Sequence, residues 1–269
     1  GGLQGPLCGA AEMRPERITS RRNPLLQQIR RLLASRRARQ EEGLFVGDGT
    51  KLLEEAAHWY GGLETVILTD TLPVPELPPD TAVYQVPADV MESLSPMKTP
   101  QGALFLCRLQ PPAPLALTPG CLILDGIQDP GNLGTILRTA DALEVPVVLT
   151  PGCADPYSWK TVRASMGAVF RTQPVQGTEE EILALCRTQG IPLAVTALSP
   201  RARDIRQEAI CQYAVVIGSE GQGVSKLFLE QGDAEWIIPM NPRCESLNAA
   251  VAAAIVMWQM QTGRPGWRE

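Results

Sequence analysis

Short continuous apolar runs alternate along this chain with segments whose apolar residues recur every three or four positions. In the first part the runs are GLFVGD from Gly43, TVILTD from Thr65, AVYQV from Ala82 and ALFLC from Ala103. Helical periodicity between them predicts helices over residues 23–39, 50–59 and 88–95. The second part brings CLILDGI from Cys121, VPVVLT from Val145, IPLAVTAL from Ile191, YAVVIGSE from Tyr213 and EWIIPM from Glu235. Helices are predicted there over residues 133–143, 157–170, 179–188, 224–230 and 247–261. A strand without alternation is buried on both faces. The second part is therefore expected to be a parallel sheet with crossover helices, and the first a smaller α/β unit. No internal repeat is present.

Between the two parts lies LQPPAPLALTPG, with four prolines in twelve residues, expected to be a stiff and poorly packed connector. The organisation predicted is a first domain over 14–108, a linker over 109–119 and a second domain over 120–263. A length of 269 residues suits two domains, and 44% hydrophobic with 20% charged residues is the profile of a globular protein. No apolar run approaches the roughly 18 residues of a membrane span. The opening GGLQGPLCGAAE looks like a flexible leader without a secretory layout, and Met13 could be the natural start.

Seven cysteines are scattered and form no CxxC pair, which points to reduced thiols in the cytoplasm and against a disulfide framework or a zinc site. No metal ligand set is expected. The single histidine, His58, fits a surface or partly packed helix position, and its isolation removes most support from Ser-His or Cys-His mechanisms. Net charge is −5, but the stretch from Arg14 to Arg39 holds nine arginines and one acid, Glu16, a local balance of +8, leaving −13 on the remainder. A basic segment on an acidic body suggests a directed contact with phosphate. The same stretch carries Leu25, Ile29, Leu32 and Leu33 on one stripe, so one face is expected to pack while the other meets nucleic acid.

Three loops that follow strands carry the candidate chemistry, since ligands of parallel sheets bind at the carboxyl ends of strands. In LDGIQDPGNLGTILRT, Asn132 is a good N-cap, and Leu133, Ile136, Leu137, Ala140 and Leu143 form a core stripe. Gly134 and Arg138 share another face, and a helical Gly costs about 1 kcal/mol against Ala, so something is expected to approach the backbone there. In VVIGSEGQGVS, Gly218, Gly221 and Gly223 allow close approach to a ligand while Glu220 projects one carboxylate. In IIPMNPRCESLNAAVAAAIVMWQM, Ser246 is expected to cap a helix whose Leu247, Val251, Ile255 and Trp258 face inward, with Ser246 and Asn248 at an N-terminus suited to anions. Neither GxGxxG nor GxxxxGK[ST] occurs, which disfavours a nucleotide-binding oxidoreductase.

Together, NLGTILRTA, IGSEGQGVS and IPMNPRCESLNAAVAAAI resemble the three ordered motifs of the SpoU (TrmH) RNA ribose methyltransferases of the SPOUT superfamily. YSWKTVRASMGAVFR is similar to that family's intervening segment, and the likeness runs from about Gly120 to Gln261. The first unit, through EEGLFVGDGTKLLEEA and KTPQGALFL, resembles the ribosomal-protein-like RNA-binding domain that often precedes the catalytic one; members commonly carry Glu where this chain has Asp48. The resemblance implies a trefoil-knotted parallel-sheet domain, a homodimer, S-adenosylmethionine as cofactor and methylation of a ribose 2′-hydroxyl. It implies cofactor contacts by Thr196, Gly218, Ile238, Met240 and Leu247, and active-site roles for Asn132, Arg138, Glu220, Ser246 and Asn248. Arg138 would aim at the target ribose or its phosphate. Ribosomal RNA is the expected substrate, with transfer RNA, or a binding-only assembly factor, as alternatives.

Overall fold

A computed structural model describes residues 15–268; the N-terminal leader, Met13 and Arg14 lie outside them. The first unit runs β1 (Glu16–Arg17), α1 (Pro24–Ala34), α2 (Arg36–Glu42), β2 (Leu44–Asp48), α3 (Thr50–Trp59), β3 (Leu63–Thr69), β4 (Ala82–Val86), α4 (Ala88–Leu94) and β5 (Ala103–Arg108). Its sheet has the order β1-β4-β3-β5-β2. β1, β4 and β3 are parallel, and β5 is antiparallel to both its neighbours.

The expected helix over 23–39 is two helices. Ser35 adopts an extended conformation, and its side chain accepts from the Ala38 N–H to start α2. A serine that can satisfy a free helix N–H ends one helix and opens the next. α1 buries Leu26, Ile29 and Leu32. His58 lies exposed on α3.

The second unit runs β6 (Cys121–Asp125), α5 (Pro130–Ala142), β7 (Val147–Leu149), α6 (Trp159–Ala164), α7 (Ala168–Arg171), β8 (Val175–Gln176), α8 (Glu179–Gln189), β9 (Leu193–Thr196), β10 (Arg203–Asp204), β11 (Ala214–Gly218), α9 (Lys226–Gln231), β12 (Ala234–Ile237) and α10 (Ala249–Thr262). Seven strands pair in the order β10-β12-β9-β11-β6-β7-β8, every pair parallel. β11 is inserted between β9 and β6, and β12 between β10 and β9. The two-residue strands β1, β8 and β10 carry too few residues for any periodicity to reveal.

The expected helix over 157–170 breaks at Met166 and Gly167, both at positive φ (51° and 92°). The connector is also better packed than its prolines suggest. Leu117 is buried in the second core, and a Cβ on Gly177 would stand 2.9 Å from Leu115 Cδ2.

The expected inward face of the last helix is a further correction. Val251, Ile255 and Trp258 are exposed, Trp258 by 62%, while Ala249, Ala250, Ala253, Val256, Met257 and Met260 are buried. Nearly every position of α10 is apolar, so periodicity could not choose a face, and the small alanines take the side that packs closely against α5.

One apolar core joins the two units. Phe45 and Tyr60 of the first meet Tyr157 and Phe170 of the second, with Phe45–Tyr157 centroids 4.9 Å apart and Tyr60–Phe170 5.7 Å. Phe105 stands 5.9 Å from Phe170. Two charge clusters flank these rings. Arg39 Nε donates to Asp155 at 2.9 Å, Arg39 being buried and Asp155 partly so, and Arg171 donates to Asp141 and Glu55 at 2.8 Å each. Among the described residues no helix is long and apolar enough to cross a membrane.

Candidate active site

β6, β11, β9 and β12 lie side by side, and their carboxyl ends form one edge. Asp125 at the end of β6 is opposite Gly218 at the end of β11, and Thr196 at the end of β9 is opposite Trp236 in β12. Parallel strands in register deliver their outgoing loops to one place, which is why ligands collect there. Thr196 Oγ1 donates to the Val216 carbonyl at 3.0 Å, tying β9 to β11. Ile238, Met240 and Leu247, in the segment between β12 and α10, are half-buried.

The glycine loop after β11 folds on itself. Ser219 and Gly223 bridge, the Gln222 N–H donates to Ser219 Oγ at 3.1 Å, and Gly223 takes φ 67°. A Cβ on Gly218 would fall 2.2 Å from the Gly223 carbonyl carbon. The chain's own return therefore accounts for Gly218 being glycine, where a ligand is the reason expected from sequence. Gly134 is similar: a Cβ there would lie 2.5 Å from the Thr161 carbonyl oxygen of α6. A close approach exists, and it is helix against helix.

Three of the expected polar residues converge. Glu220 Oε1 accepts from the Ala249 N–H at 2.7 Å, at the N-terminus of α10. Asn132 Nδ2 lies 3.5 Å from the same oxygen, and Asn248 Nδ2 donates to Asn132 Oδ1 at 3.1 Å. The carboxylate complements the helix dipole and satisfies a free N–H. Residues from α5, the β11 loop and α10 are thus locked into one hydrogen-bonded set.

Two capping assignments change. The cap of α5 is Asp129, which accepts from the Asn132 N–H at 2.8 Å, because Pro130 occupies the first helical position. Asn132 stands inside the helix with its amide free for Glu220 and Asn248. The cap of α10 is Asn248, which accepts from the Ala250 and Val251 N–H groups. Ser246 lies two residues earlier, exposed in the loop.

Arg138 is exposed on α5, six residues beyond Asn132, about 9 Å along the helix axis. It stands outside the hydrogen-bonded set. Sequence reasoning passed over Asp125, although it closes the run CLILD. It is buried; Oδ2 accepts from the Ser225 N–H at 2.7 Å and Oδ1 from Thr150 Oγ1 at 3.3 Å. It thereby pins the far end of the glycine loop to β6. An acid closing a buried strand was the available signal.

The donor set suits S-adenosylmethionine. Backbone groups at three neighbouring strand ends, a threonine and half-buried Ile238, Met240 and Leu247 offer apolar walls with few polar atoms, as a compact adenosine ligand requires. Two clefts of about 390 and 440 Å³ lie elsewhere, beside Val145–Val147 and Ile191–Leu193. Both border the amino ends of strands, the wrong end for such a ligand.

The SpoU rRNA Methylase family model matches residues 119–258, and that of the MRM3-like substrate binding domain matches 23–104. The chain is 31% identical to the Bacillus subtilis (strain 168) 23S rRNA (guanosine(2553)-2′-O)-methyltransferase RlmP, covering 91% of this chain and 99% of that protein. It superposes on the AdoMet-bound rRNA methyltransferase from Sinorhizobium meliloti with TM-score 0.80, 26% identity and 92% and 97% coverage. A crystal structure of an RNA 2′-O ribose methyltransferase gives TM-score 0.76, 29% identity and 92% and 99% coverage. A parallel-sheet catalytic unit following an RNA-binding unit defines the class as an RNA methyltransferase that uses S-adenosylmethionine. The chain belongs to the SpoU rRNA methylase family.

Proposed function

We propose that this protein methylates a ribose 2′-hydroxyl in structured ribosomal RNA. The observation carrying the proposal is the convergence of Asn132, Glu220 and Asn248 at the carboxyl edge of the sheet. The similar Bacillus protein, named for a 23S rRNA 2′-O reaction, supports the substrate class. The trefoil knot belongs to the same proposal, supported by the insertion of β11 and β12 between earlier strands.

Thr196, Gly218, Ile238, Met240 and Leu247 hold the cofactor. When bound, it supplies an electrophilic methyl group on a sulfonium. The protein's task is then alignment, because holding two reactants in line is worth several kcal/mol. Glu220 fixes the start of α10 and, with Asn248, holds Asn132 in place. Ser246 is assigned to the active site by motif. Arg138 grips the target ribose or its neighbouring phosphate and stabilises charge developing on oxygen. Arg138 acts through its charge and its planar donors, and the hydroxyl proton leaves to another acceptor.

The protein acts in the cytoplasm as a homodimer. Val251, Ile255 and Trp258 form an exposed stripe at i, i+4 and i+7 on α10, and an uncovered apolar stripe of this kind suits a second copy. A single-particle mass measurement at micromolar protein reads a dimer, and Trp258→Glu reads a monomer; a monomeric wild type overturns the assembly.

The test of function is transfer of labelled methyl to unmodified ribosomal RNA and, separately, to bulk transfer RNA, with the methylated position read by mass. Label in a 2′-O-methylated nucleotide of ribosomal RNA is expected. Label only in transfer RNA overturns the substrate, and label on a base overturns the reaction. Arg138→Ala abolishes transfer and leaves cofactor titration unchanged; equal loss of both overturns its role.

A further inference from the structure

The segment YSWKTVRAS has no role in the site above, yet it lies where the two units meet. α6 packs against β2 of the first unit. It also packs on α5, with the Thr161 carbonyl beside Gly134 and so two residues from Asn132. Its Arg163 reaches the first unit, Nη1 lying 2.9 Å from Met97 Sδ. Lys98 is the residue that follows Met97 in the same loop. The loop is held in that position by Ser95, which donates to buried Asp48 at 2.6 Å and accepts from the Met97 N–H at 3.1 Å. Lys160 Nζ stands 5.7 Å from the ring centre of half-buried Trp159.

Lys98, Lys160 and Arg163 are all exposed, and among the described residues none of them is paired with a carboxylate. The acids nearby in the fold are already engaged: Asp48 with Ser95, Asp155 with Arg39, and Glu55 with Arg171 and Lys51. Five of the eight described arginines at the start of the chain are the opposite case; Arg22, Arg30 and Arg36 form no ion pair among the described residues, Arg30 donating instead to the Arg21 carbonyl at 2.7 Å and Arg36 to the Cys153 carbonyl at 3.4 Å. Arg17, Arg21, Arg31, Arg37 and Arg39 are paired with Asp70, Asp89, Glu42, Glu41 and Asp155. A carboxylate beside an arginine offsets part of its attraction for an added phosphate, which an unpaired cation keeps whole.

We infer that the seam surface formed by Lys98, Trp159, Lys160 and Arg163, and not the carboxylate-paired arginines at the start of the chain, is the principal contact for the RNA backbone leading to the active site. The inference rests on the proposed RNA substrate. Unpaired cations beside a partly exposed aromatic ring match what a nucleic-acid strand requires: phosphates meet the cations, and a base reaches the open part of the indole. The helix that carries Lys160 and Arg163 spans from Met97 of the first unit, through Arg163, to α5 beside Gly134, through Thr161.

The test is binding of unmodified ribosomal RNA to the full chain over a salt series. Every phosphate that loses its cation lowers the slope of log affinity against log salt by about 0.7 to 0.9. Lys98→Ala/Lys160→Ala/Arg163→Ala is expected to flatten that slope by about two and to weaken binding at least about tenfold at moderate salt. Cofactor titration stays at its wild-type value. Arg21→Ala/Arg37→Ala is expected to stay within about twofold of wild type. RNA binding by wild type that the triple variant leaves intact, or that the arginine pair reduces as strongly, overturns the seam assignment alone. Cofactor binding without any RNA binding by wild type overturns the assignment and the proposed function together.

Discussion

The seam between the two units and the loop cluster at the carboxyl edge of the second sheet are built from opposite materials. The seam interior is a bed of aromatic rings flanked by Arg39–Asp155 and the Arg171 cluster, with long-range partners more than a hundred residues apart. The loop cluster is polar, exposed in part, and held by a few hydrogen bonds around Glu220 and the start of α10. Burial concentrates stability where nothing needs to enter. The site leaves groups such as Arg138 uncovered because a substrate must reach them. Stability and chemistry therefore separate in space, and substitutions can test that separation.

The largest expected effect is on the seam. Phe170→Ala removes a ring touching Phe45, Tyr60 and Phe105, and the cavity costs about 3–5 kcal/mol. Denaturant melts followed by two probes, one in each unit, show one shared transition at lower midpoint. Two separate transitions in wild type would break the idea of a common core.

Next is Arg39→Ala, which leaves the partly buried carboxylate of Asp155 without its cation and is expected to cost about 2–3 kcal/mol. The double variant Arg39→Leu/Asp155→Leu recovers much of this, because no charge is left unpaired. Equal losses in single and double variants would show that the pair contributes through packing alone.

Asn248→Ala acts at the site. It removes the α10 cap, worth about 1 kcal/mol, and the bond to Asn132. Stability falls little, whereas methyl transfer falls by more than the tenfold that about 1.4 kcal/mol represents. Activity that drops only in proportion to folded protein would merge the two regions after all.

The smallest effect concerns pH. Burial pushes the Asp48 carboxyl above its ordinary 3.8, against smaller opposing effects of the Ser95 hydrogen bond and the Arg163 charge. The native state then holds more proton than the unfolded one just above that value, so the Asp48 contribution to stability rises as pH falls through this window and is lost as pH rises. Asp48→Asn removes that slope; an unchanged profile would show Asp48 to be fully hydrated.

Much of this was legible in the chain. Apolar runs located β6, β9, β11 and β12, and the helix over 50–59 appears with the same limits as α3. Asn132, Glu220 and Asn248, picked from three loops, come within hydrogen-bonding distance of one another. Errors fell where local pattern carries no information. Ser35 and Gly167 break helices through backbone dihedrals that a periodic stripe does not encode. On α10 an unbroken apolar surface gave no means to decide which side packs.

What the sequence determined by itself is the place of the longer strands and helices, the class of the fold and the loops that hold polar groups, because these depend on near neighbours and on side-chain period. Only the tertiary structure decided which cation meets which acid. Arg17, Arg21 and Arg39 look like part of a free basic face until Asp70, Asp89 and Asp155 arrive from distant segments. Lys98, Lys160 and Arg163 look scattered until the fold joins their segments at the seam. Charge pairing depends on distance in space, and a linear chain does not state that distance.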